Sequence, residues 1–127
     1  MPTALELSRE ELQVYVDAHR KRVWPKLTAE QEAEREAKIE LARQVARMLR
    51  RKYAASRVIL FGSLAHRSWY HDKSDIDLAA EGLGNDYFKA WGDAEQIVDG
   101  RKIDLIDMEM ASDSFRQAIE EEGIELL

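Results

Sequence analysis

The chain has 127 residues, 45% hydrophobic and 35% charged, with a formal net charge of −6 and no cysteine. That length bounds one domain with its own core, no apolar run approaches the roughly 20 residues of a spanning helix, and disulfides and thiolate metal sites are excluded. The charge is uneven: thirteen Lys/Arg face nine Asp/Glu through Arg57, and six face sixteen from Val58 onward, so the second half does not suit gripping a long nucleic acid, which takes clustered cations. The start, Met1-Pro2-Thr3-Ala4-Leu5-Glu6, has no basic stretch followed by a hydrophobic one. No signal peptide is expected, and the cytoplasm is the location by default.

In chain order, Ser8-Arg9-Glu10-Glu11 has capping-box spacing and predicts a helix with Leu12, Tyr15, Val16, His19 and Val23 on one side. Trp24-Pro25 closes it. Thr28-Ala29-Glu30-Gln31 is a second capping box and starts a long helix reaching about Tyr53. Its apolar stripe is Ile39, Ala42, Ala46, Leu49 and Tyr53, broadened by Leu41, Val45 and Met48, the spacing of a helix packed on a core. Acidic residues in its first half and Arg/Lys in its last turns suit the helix dipole.

Arg57 to Phe61 reads as a buried strand that stops at Gly62-Ser63. Glycine there permits close approach to a ligand, and Ser63 can donate its hydroxyl and backbone N–H to a phosphate oxygen at the start of a short helix near Leu64. Trp69 and Tyr70 either stack on a base or pack that helix against the sheet, and packing is the reading preferred; His71 could carry a proton. A second strand then opens with Asp75-Ile76-Asp77-Leu78. Alternation puts Asp75 and Asp77 on one face, roughly 6 to 7 Å apart along the strand. They repel each other unless a cation lies between them. Mg²⁺ takes few protein carboxylates and completes its shell with water and substrate phosphates, so this is a site for such an ion.

Asn85 is expected to cap a helix from Asp86 to Val98, with Tyr87, Phe88, Trp91, Ala94 and Val98 inward. Lys102 to Met108 is a third strand, in which Ile103 and Leu105 share one face and Asp104 takes the other; Asp107 falls opposite Asp104. Ser112 or Asp113 caps a last helix with Phe115, Ala118 and Ile119 inward, ended by Gly123 before a short extended tail.

Gly62-Ser63, eleven intervening residues and Asp75-Ile76-Asp77-Leu78 together resemble the signature of the DNA polymerase β-type nucleotidyltransferase superfamily in its smallest form, the minimal nucleotidyltransferases. The resemblance covers roughly Ala37 to the end. It implies an α/β (α+β) nucleotidyltransferase fold, a small mixed sheet of about three to four strands flanked by helices, with residues 1–27 as an N-terminal helical extension and 28–127 as the domain. It also implies a third carboxylate, on the third strand, which makes Asp104 the candidate. Asp75, Asp77 and Asp104 would then hold two Mg²⁺ ions, while Gly62, Ser63 and Arg67 would bind the nucleotide. The family pattern continues Gly-Ser-x-Ala-Arg-Gly, whereas this chain has His66 and Arg67 in the last two positions. Either Arg67 replaces the missing charge by a shift of one residue, or the phosphate grip is weakened; the first is adopted.

Stand-alone proteins of this kind resemble the antitoxin half of toxin–antitoxin pairs, whose partner is a helical ribonuclease toxin of the HEPN class. The resemblance implies transfer of AMP from ATP to a tyrosine hydroxyl of that toxin. The competing readings are a non-catalytic antitoxin that covers its partner, and nucleotidyl transfer to a small molecule, which would need a homodimer to build the acceptor pocket.

Overall fold

The computed structural model describes residues 26–127. The helix expected between Ser8 and Trp24, and with it nearly all of the 1–27 extension, lies outside the described residues.

Helix α1 spans Ala29–Tyr53. The capping box forms as its sequence predicts: Thr28 Oγ1 accepts from the Gln31 N–H at 3.1 Å, and Gln31 Oε1 accepts from the Thr28 N–H at 2.9 Å. Ala54, with φ of 59°, ends the helix. Strand β1 follows over Arg57–Phe61, then two three-residue 3₁₀ turns at Ser63–Ala65 and Arg67–Trp69. These turns replace the short helix expected near Leu64. They are too short for a helix dipole to build up. Strand β2 is Ile76–Glu81, α2 is Tyr87–Val98, β3 is Ile103–Asp107, α3 is Asp113–Glu122 and β4 is Ile124–Glu125.

The strands form one mixed sheet in the order β3-β2-β1-β4. β1 is antiparallel to both β2 and β4, and β2 is parallel to β3, joined to it through α2. Alternation divides the apolar side chains between two cores. Val58, Leu60, Ile76, Leu78, Ala80, Ile103 and Leu105 pack with the inner faces of α1 and α2, while Ile59, Phe61, Ala79 and Ile106 pack with Phe115 and Ile119 of α3. Among the described residues, three helices around a four-stranded mixed sheet make the α/β architecture that the sequence led us to expect.

Two details of α2 differ from expectation. Asn85 lies inside a 3₁₀ turn at Gly84–Asp86 and caps nothing; the helix begins after that turn without a side-chain cap. Its buried residues are Ala90, Ala94 and Val98, a stripe at spacing four that excludes Phe88, which is 81% exposed. The tail after α3 is not merely extended. It pairs Ile124 with Leu60 and Glu125 with Ile59 as a fourth strand.

Candidate active site

The parallel register places Asp77 directly beside Asp104. Asp77 also lies opposite Phe61, the last residue of β1. Asp75 stands one residue ahead of β2, on the same side of the alternation as Asp77. The face is the one that carries Ala79 and Ile106, so the carboxylates continue the α3 side of the sheet past the end of its apolar core. Asp107 belongs to the other face, where it is buried and accepts from the Glu109 N–H at 3.0 Å.

Gly62 fits against this cluster. Its φ of 76° and ψ of −166° form a backbone state that essentially only glycine occupies. A Cβ placed there would run into the Asp77 carboxylate. The glycine of the signature thus makes room for its second aspartate, a role that adds to any contact with a ligand.

The Ser63 hydroxyl points inward. It donates to Ser74 Oγ at 2.8 Å, and Ser74 Oγ accepts from the His71 N–H at 3.0 Å. The two halves of the signature are therefore pinned to each other by buried serines. Lys38 of α1 holds the same loop from behind. This buried ammonium donates to the Ser74 carbonyl at 2.9 Å, to the Tyr70 hydroxyl at 3.2 Å and to the Asp72 carbonyl at 3.4 Å. Tyr70 and Trp69 are buried in packing contacts. Local pattern could not reveal Lys38 or Ser74, because their partners are distant in sequence.

Neither basic residue after the turn stands free. His66 Nε2 lies 2.7 Å from the Glu122 carbonyl and its ring packs at 3.9 Å on Trp69. Arg67 forms an ion pair with Glu32 on α1. Both side chains of that pair are well exposed, so Arg67 can leave it at a cost of about 0–1 kcal/mol.

Electrostatically the aspartates are under tension. Burial pushes the Asp77 carboxyl up to about 7, the charges of Asp104 and Asp75 add to the rise, and Lys102 opposes it. Burial likewise raises Asp104, with Lys102 pulling down and Asp75 pushing up. Lys102 Nζ lies 3.6 Å from Asp75 Oδ2. Beside Asp75 opens a cleft of about 270 Å³, walled by Glu34 and Lys38 of α1, the 72–76 segment, and Arg101 and Lys102.

Among the described residues, no three acidic or imidazole side chains are gathered closely enough to make a ready-formed metal centre. The donor set nevertheless suits a hard divalent cation, which takes carboxylate oxygens. Burial raises Asp77 most, and the repulsion from Asp104 and Asp75 that adds to the rise is what such a charge would relieve. None of the described helices is long and apolar enough to cross a membrane.

No match to this chain is found among curated proteins. The family model described as Polymerase beta, Nucleotidyltransferase does match, over residues 43–127, and that span runs from mid-α1 through every strand and all three aspartates. Covering more than half of the chain, it establishes that this protein belongs to the polymerase beta nucleotidyltransferase family, whose general chemistry is nucleotidyl transfer.

Proposed function

We propose that the protein moves AMP from ATP to a hydroxyl, that of a tyrosine on a partner protein, and that the partner is a HEPN-type ribonuclease toxin which this transfer silences. The observation that carries the reading is the alignment of Asp77 with Asp104 across β2 and β3, with Asp75 beside them and Gly62 against Asp77. In the reaction the acceptor oxygen attacks the α-phosphorus, the new O–P bond forms, the bond to the bridging oxygen breaks and pyrophosphate leaves in line. Asp104, with its carboxyl raised by burial, takes the acceptor's proton. Gly62 and the Ser63 backbone seat the phosphate chain, and Arg67 joins them by leaving Glu32. Asp75 and Asp77 would hold Mg²⁺, with Asp104 completing the set. Bound there, Mg²⁺ supplies charge neutralisation for the nucleophile and the leaving pyrophosphate. Among the described residues β3 is an edge of the sheet, the side from which an acceptor carried on another molecule would reach Asp104.

The test is a partner recovered by pull-down, incubated with this protein, Mg²⁺ and α-labelled ATP. Label is expected on a partner tyrosine, and Asp75→Asn or Asp104→Asn should lower its rate by at least about a hundredfold. A second reading, a blocker that works by covering its partner, is favoured by the inward turn of the Ser63 hydroxyl and the pairing of Arg67. An unlabelled partner that is still silenced, by wild type and Asp75→Asn alike, would establish the blocker instead.

A further inference from the structure

The three aspartates and the Gly62–Ser63 turn bring no positive charge to a phosphate chain, and the two basic side chains after the turn are engaged with the Glu122 carbonyl and with Glu32. Four cations line the cleft beside Asp75. Lys38 is buried on three oxygens of the 70–74 loop, and Arg101 is held by both carboxylate oxygens of Glu34, at 3.0 and 3.4 Å. Lys73 is exposed and makes no ion pair among the described residues. Lys102 is set in place by its backbone, whose carbonyl accepts from the Ile76 N–H at 3.1 Å. Its side chain is 74% exposed and its ammonium stands 3.6 Å from Asp75.

An exposed pair of that kind contributes about 0–1 kcal/mol, so a phosphate oxygen can displace Asp75 from Lys102 at little cost. Lysine binds phosphate as a mobile point charge and needs no fixed bidentate geometry.

We propose that Lys102 and Lys73 are further phosphate-binding cations of this site: Lys102 leaves Asp75 for the phosphate chain of an incoming nucleoside triphosphate, and Lys73 grips the same chain from the loop before Asp75. The assignment rests on the nucleotidyltransferase reading above. It adds positive charge at the approach of β3 and in the loop before Asp75 to that which Arg67 brings after the Gly-Ser turn.

Titration calorimetry on the purified protein with Mg²⁺ tests it, using ATP, AMP and inorganic tripolyphosphate as probes. Lys102→Met with Lys73→Met should weaken ATP and tripolyphosphate at least about tenfold and AMP much less. Lys102→Arg should retain most of the affinity, and Lys89→Met, the loss of one charge on α2, should change nothing. Unfolding temperatures measured without nucleotide should stay together across the set, which separates lost binding from lost structure. A double variant that binds ATP as tightly as wild type does would overturn the lysine assignment and leave the enzyme reading standing. Wild type that binds neither ATP nor tripolyphosphate would overturn both.

Discussion

Gly62 shows how one missing Cβ sets the geometry of a site. Its backbone state excludes side chains, and the space a side chain would fill is taken by the Asp77 carboxylate. Gly62→Ala is expected to destabilise the fold by about 1–3 kcal/mol, read as a lower denaturant midpoint. Because the Asp77 side chain must move aside, nucleotidyl transfer should fall much further than stability does. Full activity in a folded Gly62→Ala protein would contradict this account. The sequence announces such a residue only as a turn signal. That its neighbour is Asp77 follows from the antiparallel return of β2 along β1, which no local pattern contains.

Between residues and fold, the elements differ in how far they could be read. Helix α1 and strand β1 run where the capping box, the 3-and-4 stripe and the Gly-Ser stop place them, because each is bounded by local chemistry. α2 could be read in extent and in most of its inward face, since Tyr87, Trp91, Ala94 and Val98 all turn to the core, while Ala90 joins them and Phe88 is left outside. Of the 64–74 loop, only the packing of Trp69 and Tyr70 could be read. The loop is held by Ser63–Ser74 and by Lys38, contacts spanning 11 and up to 36 residues of sequence. Lys38→Met keeps the length of the side chain and removes the donor, leaving two carbonyls and a hydroxyl short of a partner at roughly 1–3 kcal/mol. Hydrogen exchange of the 70–75 amides should accelerate strongly, with the amides of α3 unaffected; equal protection of both segments in variant and wild type would rule out a role for Lys38 in holding the loop. Since Asp75 follows that loop directly, the variant should also lose transfer activity.

For the molecule as a whole, the aspartates are a liability that the two cores must carry. The folded Asp77 carboxyl titrates at about 7 against an ordinary 3.8. The folded state therefore holds the extra proton between those values, so this group's contribution to stability is full below about pH 4 and is lost as pH rises through about 7. Asp77→Asn should accordingly raise the unfolding temperature at pH 8 in metal-free buffer, reflecting a gain in stability on the order of a few kcal/mol that closes as pH falls to 4. Divalent cation should raise the wild-type value and not the variant's. Identical unfolding curves for the two proteins at pH 8 would count against a buried, repelled carboxylate. The sequence could supply the three acidic residues and the repulsion between Asp75 and Asp77, but not the burial that weighs most on Asp77 nor the charge of Asp104 that the parallel pairing sets beside it. The position of Lys38 has one further consequence. The family match begins at residue 43, yet Glu32, Glu34, Lys38, Ile39 and Ala42 all lie ahead of it and contribute a salt-bridge partner for Arg67, a wall of the cleft, the clamp on the 70–74 loop and part of the larger core. A fragment trimmed to the matched boundary would keep every aspartate of the signature and lose the scaffold that aims the first of them; the unit that folds is longer than the unit that is recognised.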